Sequence, residues 1–115
     1  TIGATITGYA NITDGVPGLN DALASVGPIS VSVDAAADSF YFYQGGLYYD
    51  EECKSGLSDL DHTVLAVGYG SVDGQMYTIV KNSWSDHWGE GGFIRVSQQD
   101  NCCGVATQPT YVALQ

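Results

Sequence analysis

His62 and Asn82 are the residues of this sequence whose types and positions are best suited to chemistry. His62 opens an apolar run, Thr63 to Val67, directly after a polar loop, and Asn82 ends a second run, Met76 to Lys81. If the two runs are hairpin neighbours, the imidazole and the amide sit at one end of the same sheet. The amide oxygen can then accept from one ring nitrogen and set the tautomer, leaving the other nitrogen to take a proton from a thiol. Trp84 and Trp88 follow closely, and an indole laid over such a hydrogen bond keeps water off it and strengthens it. Taken singly, each residue has a plainer reading: a structural histidine at a loop mouth, and an asparagine capping the Ser83-Trp84 turn. Together they are a base and an orienter, and nothing else in the chain looks like the nucleophile that should face them.

The cysteines do not fill that gap. There are three, Cys53, Cys102 and Cys103, with no CxxC pair, and His62 and His87 stand in unrelated contexts, so neither a metal site nor a cofactor is expected. Adjacent cysteines bridge each other only under strain, which leaves Cys53 to pair with Cys102 or Cys103 and one thiol over. A disulfide implies an oxidising compartment, and the sequon Asn11-Ile-Thr13 fits the same setting as a possible N-glycosylation site.

The chain has 115 residues, 44% of them hydrophobic, enough to bury a core in one domain. Fifteen Gly and eight Tyr favour twisted strands and tight turns over long helices. Three basic residues against thirteen acidic ones give a net charge of −10, which argues against nucleic acid or an anionic membrane as partner. The same charge suits either a solvated surface or residence in an acidic compartment, and composition does not choose. No segment approaches the length of a membrane span. Thr1 is not an initiator Met, so a processed product or fragment is expected.

The elements that must position the two polar residues follow from pattern. Residues 1–12 alternate and read as a strand, and Leu19, Ala22, Leu23 and Val26 recur at helical spacing, giving a short helix over about 17–26 that stops at Gly27-Pro28. Ile29–Val33 alternates as a half-buried strand, residues 38–43 make a single turn, and 50–59 form a loop. Thr63–Val67 reads as a buried strand, Ser71–Gly74 as a turn, and Met76–Lys81 as the hairpin partner, with further strands over 91–96 and 110–114. The fold class is mainly β with short helices (α+β), a small antiparallel barrel as one domain.

Asp61-His62, Val67-Gly-Tyr-Gly70, Val80-Lys-Asn-Ser-Trp84, Trp88-Gly89, Gly91-Gly-Phe-Ile94 and Asn101-Cys-Cys-Gly-Val105, in that order, resemble the C-terminal half of papain-family cysteine proteases of the cathepsin L-like group. Val26 to Asp34 and Phe42 to Tyr48 look like the same family. The resemblance implies a two-domain enzyme in which residues 1–115 are the barrel domain bearing histidine and asparagine, with the nucleophilic cysteine on an N-terminal domain absent from this chain. It also implies an acyl-enzyme mechanism on peptide or protein substrates, a propeptide or protein inhibitor as possible partner, and a lysosomal, vacuolar or secreted location. His62 and Asn82 would be catalytic. Ala35, Leu60, Thr63 and Gln108 would line the pocket for the side chain preceding P1, the Asp61 carbonyl would accept a substrate N–H, and Trp84 would wall the primed side. Cys53 would bridge Cys103, leaving Cys102 as an extra thiol. The alternative is a non-catalytic papain-like homologue with a structural, storage or binding role.

The chain departs from the family where Thr78 replaces a usual Trp, Ser85 a usual Gly, and Thr63 a usual Gly or Ala. The Cys-Gly-Ser-Cys-Trp-like nucleophile segment is missing as well. Gln108, polar but uncharged, argues against a basic side chain in its pocket. Substrates carrying Leu at that position are expected to show higher kcat/KM than those carrying Arg, and equal values would refute the assignment.

Overall fold

The computed structural model describes residues 6–12, 15–84 and 86–114. Seven strands, β1 (Ile6–Asn11), β2 (Ile29–Val33), β3 (Leu47–Tyr48), β4 (His62–Val72), β5 (Gln75–Lys81), β6 (Phe93–Ser97) and β7 (Thr110–Leu114), form one sheet in the order β1-β7-β2-β4-β5-β6-β3. Helix α1 (Gly15–Ser25) and the single turn α2 (Asp38–Tyr41) complete the regular elements, with a 3₁₀ turn at Leu57–Asp59. The mainly β architecture with short helices is as the sequence implies, but the sheet does not close into a barrel. Its paired order ends on β1 and β3, and β3, two residues long and parallel to β6, offers no ladder to join them. All other pairings are antiparallel.

Helix α1 begins two residues earlier than the spacing predicts, at Gly15, which places Pro17 in the first turn where no backbone N–H is required of it. Leu19, Ala22 and Leu23 are buried as expected, whereas Val26 lies past the helix end and is half exposed. The N–H groups of Val26 and Gly27 both return to the Ala22 carbonyl, and Gly27 at φ 111° turns the chain away. The buried face of α1 meets β2 and β4, whose inward residues Ile29, Val31, Val33, Val64 and Ala66 join Val80, Ile94 and Val96 in the core.

Strand β4 runs to Val72, well beyond the predicted Val67, and is half-buried instead of buried. Val64 and Ala66 face the core, while Thr63 and Leu65 are exposed. The turn into β5 is the two-residue Asp73-Gly74, with φ of 50° and 81°, the left-handed pair that a tight hairpin needs to match strand twist. Thr78, where a Trp was expected, is fully buried, and its hydroxyl accepts from Gln98 Nε2 at 3.1 Å. Gln98 in turn exchanges hydrogen bonds with Asn20, tying α1 to the end of β6. The amide bridge thus satisfies the buried hydroxyl.

Gly89 tests how tightly the loop between β5 and β6 is held. It sits at φ +60°, where a Cβ would lie 2.6 Å from the Phe93 carbonyl oxygen and 2.9 Å from Tyr43 Cδ2, while Gly91 at φ +64° has nothing within 4 Å. Gly91→Ala is expected to cost about 1 kcal/mol, the left-handed penalty alone, and Gly89→Ala about 2–4 kcal/mol because overpacking adds to it. Urea unfolding of the two variants checks the difference.

Candidate active site

The strand ladder brings His62 and Asn82 together. Away from the site β4 pairs with β5 from Val72↔Gln75 to Gly68↔Ile79, and nearer the site as Ala66↔Val80 and Leu65↔Lys81. Val67 has no partner across the ladder, a one-residue bulge. Continued one step, the register sets Asn82 opposite Val64, so His62 is its diagonal neighbour on the same face, within reach of long side chains. Without the bulge Asn82 would lie opposite Leu65, on the other face. His62 and Asn82 meet with Nε2···Oδ1 at 2.7 Å.

That contact assigns the tautomer. Asn82 Oδ1 also accepts from the Ser83 backbone N–H at 2.7 Å, so the oxygen, not the amine, must point this way. Nε2 of His62 therefore carries the proton and donates it, and Nδ1 is left as the proton acceptor. Trp84 stacks on the imidazole with ring centroids 5.2 Å apart and planes 28° from parallel. The Asn82 side chain is buried, and its Nδ2 has no hydrogen-bond partner among the described residues.

Trp84 is itself propped by rings. Phe40 and Trp88 meet it edge-on at 5.7 and 5.3 Å, and Tyr41 lies 5.9 Å away. Trp88 donates from Nε1 to the carbonyls of Phe40 and Tyr41, which fastens α2 to the loop after β5. Phe40 is buried, and its supporting role was not foreseen from the sequence; it opens the unbroken aromatic run Phe40-Tyr-Phe-Tyr43, in which no periodicity marks the inward ring.

On the other side of His62, Asp61 donates its N–H to the Val33 carbonyl and accepts from the Ala35 N–H on Oδ1 at 2.9 Å. Asp34, also missed, is buried and accepts from the backbone N–H groups of Ala36 (3.0 Å) and Lys54 (2.8 Å), while its own N–H donates to the Cys103 carbonyl. A carboxylate closing an apolar strand was the available signal. Of the remaining pocket candidates, Leu60 is half-buried and packs on Gly104, whose added Cβ would lie 2.6 Å from Leu60 Cδ2. Thr63 lines a hollow of about 280 Å³ with Leu65, Lys81 and Asn82, and Gln108 lines a separate one of about 390 Å³ with Ile12, Leu57 and Pro109. The structure does not gather these two into one cavity. Asn11 ends β1, whereas Thr13 of the sequon and Ser85 lie outside the described residues.

No cysteine of this chain presents an open thiol. Cys53 and Cys103 are bridged, and Cys102 is buried, with burial above all pushing its thiol up from its ordinary value. Among the described residues no group of His, Cys, Asp and Glu is arranged to hold a metal ion, and no helix is long and apolar enough to cross a membrane.

The site is thus a tautomer-fixed imidazole under an indole, carried on a mainly antiparallel sheet with short helices. Residues 1–113 match the papain family cysteine protease profile, and the chain belongs to that family. It is 49% identical over 113 residues to digestive cysteine proteinase 2 of Homarus americanus, covering 96% of this chain and 34% of that protein. A cathepsin L-like peptidase of Aedes aegypti matches at 49% with 96% and 33% coverage. Among solved structures, digestive procathepsin L 3 of Tenebrio molitor larval midgut superposes with a TM-score of 0.88 at 47% identity, over 96% of this chain and 36% of that one. Bromelain of Ananas comosus in complex with the E64 inhibitor superposes at 0.85 with 36% identity, over 100% and 54%. The chain thus spans about a third of the length of the curated relatives it matches.

The loop that carries the two indoles is anchored by an ion pair. Arg95 donates from Nε and Nη2 to the two carboxylate oxygens of Glu90 at 2.9 and 2.8 Å, and this pairing, helped by the Gly46 N–H, holds the Glu90 carboxyl down at about 2 against an ordinary 4.5. A carboxyl depressed on folding stabilises fully above its unfolded value and loses that contribution as pH falls through the folded one. The Tm difference between the native protein and Glu90→Gln is therefore expected to be greatest above pH 5 and to shrink towards pH 2, as a calorimetric pH series would show.

Proposed function

We propose that this chain is the histidine- and asparagine-bearing domain of a cathepsin L-like cysteine endopeptidase, working against a nucleophile-bearing N-terminal domain on another segment or chain. The observation that carries this is the 2.7 Å His62–Asn82 hydrogen bond, which leaves Nδ1 as the proton acceptor beneath Trp84. A cysteine thiol brought to Nδ1 gives up its proton there, and the thiolate attacks a peptide carbonyl. His62 then protonates the departing amine, and later activates the water that releases the acyl group. Asn82 holds the ring in the tautomer each step needs.

Ala35, Leu60, Thr63 and Gln108 would form one wall of the pocket for the residue preceding P1, the Asp61 carbonyl would receive a substrate N–H, and Trp84 would border the leaving-group side. That Thr63 and Gln108 line separate hollows fits a wall whose opposite side belongs to the other domain. The exposed Thr63 and Leu65 on β4 suit the same role, since an uncovered apolar strand face beside a site favours a covering surface. The disulfide is consistent with a lysosomal, vacuolar or secreted setting, and a propeptide is a natural partner for an enzyme similar to a procathepsin.

In the complete protease, His62→Ala is expected to lower kcat/KM by about 10²–10⁴ with far-UV circular dichroism unchanged. Asn82→Ala is expected to lower it less, acting on kcat more than KM. A complete two-domain protein that neither cleaves peptides nor takes up a thiol-directed epoxide would overturn this reading in favour of a non-catalytic homologue.

A further inference from the structure

Cys102 stands beside a disulfide to which it does not belong. Its sulfur lies 3.7 Å from Cys103 Sγ, and Cys103 is bonded to Cys53. All three sulfurs belong to buried residues. A thiol in van der Waals contact with a disulfide is one deprotonation away from exchange with it. The backbone carrying the pair is also strained: Asp100, Asn101 and Cys103 sit at φ of 55°, 49° and 60°, the left-handed region that a cysteine rarely occupies. Cys102 and Cys103 are consecutive, so moving the bridge from one to the other requires only that this turn be remade.

We propose that Cys102 is the internal exchange partner of the Cys53–Cys103 disulfide, giving the chain a second bridge isomer, Cys53–Cys102, with Cys103 as the free thiol. Cys102 first loses its proton. Its thiolate attacks Cys103 Sγ, forming the Cys102–Cys103 bond and expelling Cys53 as thiolate. The vicinal bridge is strained, because consecutive Cα atoms stand about 3.8 Å apart, below the usual disulfide span. The Cys53 thiolate then attacks Cys102 Sγ, forms Cys53–Cys102 and expels Cys103, which takes up the proton. One disulfide and one thiol enter and leave, and no oxidant or reductant is consumed.

The groups facing Cys102 set when this happens. Burial opposes its thiolate most, and the carboxylates of Asp50 and Asp100 oppose it further, whereas a backbone hydrogen bond with Asp50 acts the other way. Tyr49, Glu51 and Lys54 line one hollow of about 280 Å³ with Asp50, Asp100 and Cys102, and the charge of the Cys102 thiolate in turn helps push the Tyr48 phenol up. Cys102 is thereby held as a thiol in acid, and its nucleophilic fraction grows tenfold per pH unit up to its raised value. The isomer is thus locked out in acid and released by alkali. Its formation disturbs the site, because the Cys103 carbonyl holds the Asp34 N–H and Gly104 supports Leu60.

The test holds the complete folded protein at pH 5 and pH 9, quenches in acid, unfolds it, labels with N-ethylmaleimide and locates the label by fragmentation mass spectrometry. At pH 5 the label is expected on Cys102 and not on Cys53 or Cys103. At pH 9 it is expected to appear on Cys103 as well, at least tenfold above the pH 5 level, at a rate independent of protein concentration and absent from Cys102→Ser. Label confined to Cys102 after prolonged exposure at pH 9 overturns the proposal, as does Cys103 label that scales with concentration. The wild-type measurement decides by itself if the variant does not fold.

Discussion

One unpaired residue in one strand decides which face of the sheet Asn82 occupies. Side chains alternate along a strand, so a single-residue change of register moves every later residue to the opposite side. Val67 makes that change between the far end of the β4–β5 hairpin and the end that carries the site. It puts Asn82 on the core side with Val64, and hence beside His62. The hydrogen bond, its tautomer and the stacking of Trp84 all depend on this count being right.

Around that contact the chain is held from two directions. On one side an aromatic group made of Phe40, Trp84 and Trp88 buttresses the indole over the imidazole, with Trp88 fastened to the carbonyls of α2. On the other, Asp34 and Asp61 pin the ends of β2 and β4 with backbone hydrogen bonds that reach as far as the Lys54 loop and Cys103. A diagonal strand contact spans more than a directly opposed pair, so it persists only if both strand ends are immobilised. The disulfide and the buried carboxylate do for the loops what the ladder does for the strands.

The non-closure of the sheet belongs to the same picture. The edges β1 and β3 are remote in the strand order from the β2-β4-β5 centre that carries the site, so the site's geometry does not need a closed barrel. What it needs is the three central strands in register and a loop rigid enough to hold two indoles. The Glu90–Arg95 pair, bridging the loop after β5 to β6, provides that rigidity across the rim.

Much of this was legible before any coordinates. Alternation in Ile29–Val33, the 19-22-23 spacing of α1, the Asp73-Gly74 turn and the polar ends of the two central runs are local signals, and local signals survive because backbone sterics and side-chain periodicity act over a few residues. His62 and Asn82 stood out for that reason. The length of β4, the exposure of Thr63 and Leu65, the two-residue β3 and the open sheet were not legible, since each depends on what lies across the ladder. The same holds for Asp34 and Phe40, whose partners are remote in sequence. The residues alone determined which groups are present and which strands would carry them. Only the tertiary structure, through one bulge and the neighbours that clamp both strand ends, decided that the imidazole and the amide share a face and that Nδ1 is the nitrogen left open.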